Sequence, residues 1–355
     1  MAIFQYNKAV SANRLFKYIS VLIITGLLVP TTKARRSGED PVELTIYPAK
    51  AGELEKKYRL IVNPEDQIDA DALPLYEKAT KLIPKNFNQK QITEWLKLPI
   101  EQLPQQQAEE VLQKYLEPLK LVARATRCKE CNWPEWKPGD QIENLTEYRK
   151  IAFILELWAR LEISRGSYEG AALAMRTGFG MARHLGDGPT IIQGLVGMAV
   201  GGIMCREVKQ FVQQEDSPNL YQALASLPRP FIDVEKAIEN EKKATQDSVM
   251  NKLSKGQIAQ QLASSFDRVR MILKRLVNDL NGLQCVEAIR DYAATHDGQL
   301  PMALNDINQI EVPNDVVSGK AFEYSCTGTS ATLKSAIPEG GNERDAFNYE
   351  ITLKK

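Results

Sequence analysis

Three consecutive helical segments between residues 144 and 213 limit the fold of this chain more than any other feature. In the first two, apolar residues recur at steps of three and four, which is the spacing of one helix face. The first segment follows Asn144 and ends at Gly166, and the second ends at Gly186. The third begins at Pro189, a residue favoured in the first turn of a helix. Long helices with short connections predict antiparallel packing, so this region should be a helical body.

The third segment is nearly all apolar between Ile191 and Cys205 and contains four glycines, at 194, 197, 201 and 202. Each interior glycine costs a helix about 0.8–1 kcal/mol relative to alanine. Close approach of a neighbouring helix would offset that cost. The spacing of Gly197 and Gly201 is also typical of helix contacts in membranes. However, the run has 15 residues where a span needs about 20, and Gln193 interrupts it. A buried bundle helix is therefore predicted.

The rest of the chain divides into an extended entry, further helices and a β-rich tail. Alternating residues predict strands at 42–47 and 58–62, and helical periodicity predicts helices at 69–84, 92–98, 107–127, 233–252, 256–280 and 283–295. Pro118 should kink or split the helix predicted at 107–127. Residues 128–139 read as a loop, and strands are predicted at 321–326, 331–335 and 347–353.

The predicted fold class is mainly α. A multi-helix bundle or helical-hairpin body would carry short N-terminal strands and a small antiparallel β module at the C-terminus. The predicted divisions are a signal peptide at 1–34, an entry segment at 35–68, the helical body at 69–297 and the tail at 298–355.

The first 36 residues have the pattern of a secretory signal peptide. They contain six basic and no acidic residues, a 12-residue apolar run from Tyr18 to Val29, and small residues at Thr32 and Ala34. Cleavage after Ala34 is predicted, which places the protein in the periplasm or cell envelope. The alternative is an uncleaved segment that anchors the chain in the membrane.

Charge and composition exclude several function classes. The chain has 45 basic and 45 acidic residues, and removal of the signal peptide would leave a net charge of −4, which argues against nucleic acid as a partner. Only two histidines and five cysteines are present, which excludes multihaem proteins and His/Cys-rich metal clusters. No cofactor is predicted.

Cys128 and Cys131 form the most noticeable local motif. A redox role would need a thioredoxin-like strand before the pair and a helix after it, whereas here a helix precedes it. Haem attachment would need His at position 132, which is Asn132. In an oxidising compartment a structural disulfide is predicted, and buried or free thiols are the alternative.

Three further side chains are of types that can carry chemistry. His184 and His296 each precede a loop, and capping or surface hydrogen bonding is expected of both. Glu156 lies in an apolar run four residues before Arg160, an arrangement that favours an ion pair on a solvated helix flank. A carboxylate-based envelope hydrolase using Glu156 remains the alternative function. No catalytic, cofactor-binding or metal-binding residue is predicted.

Two resemblances are limited in extent. Gly166, Tyr168 and Ala171 stand where tetratricopeptide-type hairpins place a turn glycine, an aromatic and a small residue, so one hairpin of about 40 residues resembles that family. In the tail, Leu300-Pro301, Pro313-Asn-Asp315 and Gly319-Lys-Ala-Phe322-Glu-Tyr324 resemble the C-terminal portion of type II secretion pseudopilins over residues 285–335. This second resemblance implies a helix, a Leu-Pro turn and a small antiparallel sheet. Pseudopilins place a hydrophobic helix directly before this tail, whereas about 250 residues lie between the N-terminal apolar run and the tail here.

Most of the chain resembles a family of uncharacterised exported bacterial proteins. The matching segments are Tyr58-Arg-Leu60, Ala72-Leu-Pro-Leu-Tyr76, Cys131-Asn-Trp133 and Gly188-Pro-Thr190. That family implies export without implying an activity. The predicted function is a non-enzymatic exported envelope protein, a helical scaffold or binding module with a protein partner. An accessory of a secretion or pilus system is a further alternative.

Overall fold

The computed structural model describes residues 41–53, 56–137, 140, 144–249 and 255–354. The predicted signal peptide and its cleavage site after Ala34 lie outside the described residues. Within those residues the fold is mainly α, with a small C-terminal antiparallel sheet, as predicted.

The described residues form ten α-helices and six β-strands. The helices are α1 (Leu73–Lys81), α2 (Gln89–Trp95), α3 (Gln105–Gln113), α4 (Leu116–Ala125), α5 (Leu145–Ser164), α6 (Tyr168–Gly186), α7 (Ile191–Phe211), α8 (Tyr221–Ala225), α9 (Glu235–Val249) and α10 (Lys255–Thr295). The strands are β1 (Val42–Ile46), β2 (Ile68–Asp71), β3 (Cys128–Glu130), β4 (Glu323–Thr327), β5 (Ser330–Lys334) and β6 (Asn348–Leu353).

Helices α5, α6 and α7 pack on one another and form the centre of the body. A Cβ atom added at Gly197 of α7 would lie within 3.0 Å of backbone atoms of Ala182 and Gly186 in α6. The glycine therefore lets the two backbones approach closely, as the sequence predicted. Gly202 faces open space instead, so close packing does not explain every glycine of α7.

Helix α7 is the one helix among the described residues that is long and apolar enough to cross a membrane. Its most apolar window is 83% buried inside the protein, where α5, α6 and α10 pack against it. The prediction of a buried bundle helix agrees with this position.

The helix predicted at 107–127 is two helices in the structure. The segment at 107–127 is split, because α3 ends at Gln113 and α4 begins at Leu116. Pro118 lies in the first turn of α4, where a missing backbone N–H removes no hydrogen bond of the helix.

The helices predicted at 256–280 and 283–295 are one continuous helix, α10. Gly282 lies between the two predicted segments, and a Cβ atom there would lie 2.6 Å from Cζ of Phe347 in the tail. This glycine makes room for an aromatic ring of the tail and does not end the helix.

The first strand of the chain belongs to the sheet of the tail. Strand order is β1-β6-β5-β4, with β1 parallel to β6 and the other neighbours antiparallel. Residues of the entry segment, the helical body and the tail share one hydrophobic core. The three segments divided in the sequence therefore pack as a unit.

The remaining strand predictions need correction. The strand predicted at 58–62 does not form; a 3-10 turn at Lys56–Tyr58 lies there, and the second strand of the entry is β2. The segment predicted to be a loop from Cys128 begins with β3, which pairs in parallel with β2. Tertiary pairing decides both cases, since three or four residues have little strand preference on their own.

Candidate functional site

The Cys128–Cys131 motif lies beside helix α6, where several ionisable side chains meet. Cys128 is buried in β3 and Cys131 follows that strand. The Asp71 carboxylate of β2 accepts a hydrogen bond from the Asn132 backbone N–H at 2.9 Å. This contact fixes the start of the loop against β2.

Both thiols of the motif are held in their protonated form. Burial, together with the Asp71 carboxylate, raises the pKa of Cys131 far above its ordinary value. Burial also raises the pKa of Cys128. Because the thiolate is the nucleophile and the metal ligand, neither sulfur is activated for redox chemistry at neutral pH.

The structure holds all five cysteines as free thiols. Residues 128 to 130 are extended, and a strand rises about 3.3 Å per residue, so the Cα atoms of Cys128 and Cys131 are about 10 Å apart. A disulfide needs Cα atoms within about 7 Å. The Cys128–Cys131 disulfide stays a prediction, and its formation would require β3 to rearrange.

His184 reaches the same cluster from α6. Its Nδ1 lies 2.9 Å from the Tyr76 hydroxyl of α1, and its backbone carbonyl accepts a hydrogen bond from the Trp133 indole at 2.7 Å. Burial, helped by the Arg183 charge, lowers the pKa of His184 to about 4. The ring is therefore neutral at pH 7, and it shares a hydrogen bond with the Tyr76 hydroxyl.

The sequence prediction of a surface or capping role for His184 is wrong, because the ring joins α1, α6 and the cysteine loop. One signal in the sequence was available, because Gly180 lies one helical turn before His184 and therefore on the same face of α6. In the structure Gly180 packs against Thr126, so this face of α6 points at the segment that leads into Cys128. By contrast, His296 is exposed and bonds the Tyr292 carbonyl at 2.9 Å through Nδ1, as predicted.

These side chains do not build a metal site. Among the residues that the structure describes, no three His, Cys, Asp or Glu side chains are grouped so that they could hold a metal ion. The cluster instead connects strands β2 and β3, the loop after β3 and helices α1, α5 and α6 through hydrogen bonds and edge-to-face aromatic contacts of Tyr76, Trp133 and Tyr148.

Glu156 has a different partner from the one predicted. It is 2% exposed and not on a solvated flank. Its Oε1 accepts hydrogen bonds from Nε and Nη2 of Arg206 in α7, at 3.1 and 2.9 Å. Its Oε2 is buried with no hydrogen-bond partner among the described residues. Burial raises the pKa of Glu156, and the Arg206 charge opposes that shift.

Arg160 binds Glu207 of α7 and not Glu156. The guanidinium donates from Nη2 and Nε to the two carboxylate oxygens of Glu207, at 2.6 and 2.9 Å. The two ion pairs thus join α5 to α7. Sequence spacing favoured the pair within one helix, whereas the neighbouring helix offered a carboxylate in bidentate geometry.

A further buried ion pair, in α10, was not predicted from the sequence. Arg290 and Glu287 of α10 are both 0% exposed, and Nη1 of Arg290 lies 2.9 Å from Oε2 of Glu287. Arg290 also donates to the backbone carbonyls of Tyr47 and Ser217, and Glu287 accepts from the Leu220 N–H. The spacing of three residues on one helix was the available signal.

Several apolar side chains remain on the surface of the tail. The exposed large apolar residues of the described chain are Leu82, Leu116, Met302, Val316 and Ile337, and the last three belong to the tail. Val316 and Ile337 follow Asp315 and Ala336, which are joined by a hydrogen bond of 2.6 Å. Ile337 also lines a shallow surface depression of about 450 Å³ together with residues 341–344.

The tail sheet has one open edge. Thr327 and Ser330 flank the two-residue turn between β4 and β5 and therefore form a hydrogen-bonded pair. Such pairs alternate along an antiparallel ladder, so Tyr324 and Cys326 direct their backbone N–H and C=O groups away from β5. No backbone group of the described residues bonds them there.

Comparison with protein-family models, curated proteins and solved structures finds no match for this chain.

Proposed function

We propose that this protein is a non-enzymatic exported envelope protein whose helical body serves as a scaffold and whose C-terminal tail binds another protein. The observation that carries the proposal is the exposure of Met302, Val316 and Ile337 on the tail. Val316 and Ile337 follow two residues that are joined by a hydrogen bond, and apolar side chains that lie close together on a surface mark interaction sites more often than singly scattered ones do.

The buried carboxylates support a structural role. Arg160 engages both oxygens of Glu207, which is 0% exposed, so this group cannot accept a proton from a bound substrate without losing its partner. Glu156 is buried behind Arg206. A hydrolase would instead need two carboxylates that flank the bond to be cleaved.

Export is tested by fractionating cells that produce the native protein and sequencing its N-terminus. We expect the chain in the envelope fraction, beginning at Arg35, because the leader has the three regions of a signal peptide. A chain recovered from the cytosol that still begins at Met1 would contradict the proposed location.

Partner binding is tested with a photo-crosslinking amino acid placed at Ile337, and separately at Leu82 as a matched control on the body. The two side chains are 49% and 46% exposed, so they sample solvent equally. We expect a discrete crosslinked protein from position 337 only. Identical patterns from both positions, or no crosslinked protein from position 337, would refute the tail as the binding surface.

A further inference from the structure

We infer that one end of the α1–α4 helix pair binds the surface of an anionic lipid bilayer. This lysine-rich end consists of the exposed Leu82 and Leu116 and of five exposed lysines, which are Lys78, Lys81, Lys85, Lys90 and Lys114. The inference goes beyond the proposed function, because it concerns a lipid surface and a part of the body that lies outside the tail.

The two leucines lie at the same end of the helix pair. Strand β2 leads into α1 and β3 follows α4. Because β2 and β3 pair in parallel, the start of α1 lies beside the end of α4, and the two packed helices run antiparallel. Phe87, just beyond α1, packs edge to face against Tyr115, the residue before Leu116, with ring centroids 5.8 Å apart. Leu82 and Leu116 are 46% and 42% exposed, so this end presents two apolar side chains to solvent.

The lysines around the two leucines have no carboxylate partner. Residues 78–90 contain four lysines and no acidic residue, and Lys114 comes from the end of α3. None of the five takes part in an ion pair of the described residues. Their ammonium groups are therefore available to an anionic surface.

The nearby carboxylates do not neutralise this charge. Glu117 is paired with the lysine three residues further on, at 2.9 Å. Glu77 lies close enough to Tyr148 of α5 to help raise its pKa, after burial and a neighbouring thiol, so it belongs to the side of α1 that faces α5. Glu94 and Glu110 each lie one helical turn from a lysine of this end, and with both counted the end keeps a net charge of +3.

Lysine without arginine favours a lipid surface over an acidic segment of a protein. All five basic groups of this end are lysines, whereas protein interfaces are enriched in arginine and depleted in lysine. A lysine stem lies along apolar surface while its ammonium group reaches a lipid phosphate. Leucines among lysines are also typical of segments that lie in the interface of a bilayer, where the apolar side chains enter the acyl region.

The test measures how the mature chain binds vesicles of phosphatidylcholine, either alone or mixed with an equal amount of phosphatidylglycerol, by co-sedimentation. The mature chain lacks the apolar run at 18–29, which would insert into a bilayer by itself. We expect binding to the mixed vesicles to be at least tenfold tighter than to the neutral ones. Salt at about 0.5 M should remove most of this preference, because it screens exposed charges.

A charge-reversal variant and a matched control locate the binding. The double variant Lys81→Glu with Lys85→Glu should bind the mixed vesicles at least tenfold more weakly, since each lysine near an anionic surface strengthens binding about fivefold. The control Lys243→Glu with Lys320→Glu makes the same change in net charge at two exposed lysines of α9 and the tail. It should bind within twofold of the parent.

A second variant tests the apolar contribution at constant charge. Leu82→Ser with Leu116→Ser should bind the mixed vesicles at least fivefold more weakly, because the inserted side chains lose their apolar surface. Both side chains are exposed in the folded protein, so the variant should fold, and circular dichroism checks this.

Four outcomes would overturn the inference. These are equal binding to neutral and mixed vesicles or to neither, equal losses in the charge-reversal variant and its control, unchanged binding after the leucine substitutions, and tighter binding to soluble polyaspartate than to mixed vesicles. The last would assign this end to an acidic protein segment. The crosslinker at Ile337 does not depend on this end and the one at Leu82 reports proteins only, so the proposed function is tested independently.

Discussion

Buried ionisable side chains determine how the stability of this protein responds to pH. His184 has its pKa lowered from 6.5 to about 4 in the folded state, with burial as the main cause. Between these values the unfolded chain binds a proton that the folded chain does not. Stability therefore falls as the pH drops from 6.5 to 4, by about 3 kcal/mol from this group.

The first prediction concerns His184→Gln. The variant should lose this part of the acid dependence, so the difference in unfolding free energy between parent and variant should shrink by about 3 kcal/mol from pH 6.5 to 4. Urea unfolding at several pH values measures it, with the exposed His296→Gln as control. Glu241, whose pKa burial raises to about 7, has the opposite slope but cancels in the difference. An unchanged pH dependence would contradict a neutral, half-buried His184.

The second prediction concerns the buried pair in α10. Arg290→Met leaves the Glu287 charge buried without its partner and should lower the free energy of unfolding by about 3–5 kcal/mol. Adding Glu287→Gln should restore part of that loss. Arg270→Met, at a surface pair with Glu235, should cost less than about 1 kcal/mol. Urea unfolding measures these changes. Equal losses of unfolding free energy in Arg290→Met and Arg270→Met would contradict the prediction that burial makes the α10 pair the more costly one to break.

At the scale of elements, the contact between α6 and α7 depends on one glycine. Gly197→Ala adds a methyl group against the backbone of α6, and we expect a loss of about 1–3 kcal/mol from overpacking. Gly202→Ala meets open space and should stabilise α7 by up to about 1 kcal/mol. Thermal unfolding of the two variants measures both effects. Changes of the same sign in the two melting temperatures would contradict the close contact of α6 and α7 at Gly197.

Helix α10 shows how one element joins the body to the tail. It passes through Gly282, where the Phe347 ring lies against the backbone, and its Asn278 side chain donates to Asp315 at 2.8 Å. Asp315 also accepts from the Ala336 N–H. The loop before β4 and the chain after β5 are thus fixed to the same helix, and this holds the sheet in place.

At the scale of the whole molecule, the tail and the body should unfold together. Leu333 in β5 is 0% exposed, and Leu333→Ala should cost about 2–5 kcal/mol. All four tryptophans lie between residues 95 and 158, so their fluorescence reports on the body alone. We expect Leu333→Ala to lower the urea midpoint seen by fluorescence. An unchanged midpoint would mean that the tail is an independent module.

The sequence predicted those parts of the fold that depend on local pattern. The apolar periodicity of α5, α6 and α7, the division of the 107–127 segment into two helices and the strands β4 to β6 all appear where predicted. The leader, the envelope location and the pseudopilin-like tail stay predictions. Such patterns carry information because each element must bury one face, whichever element covers it.

The sequence by itself determined which segments are helices and which face of each is apolar, because period and end signals are properties of neighbouring residues. Only the tertiary structure decided the partners: β1 pairs with β6, Arg160 with Glu207, and His184 with the Tyr76 hydroxyl. These contacts join residues tens to hundreds of positions apart. Their energies depend on desolvation and geometry that arise once the helices have packed.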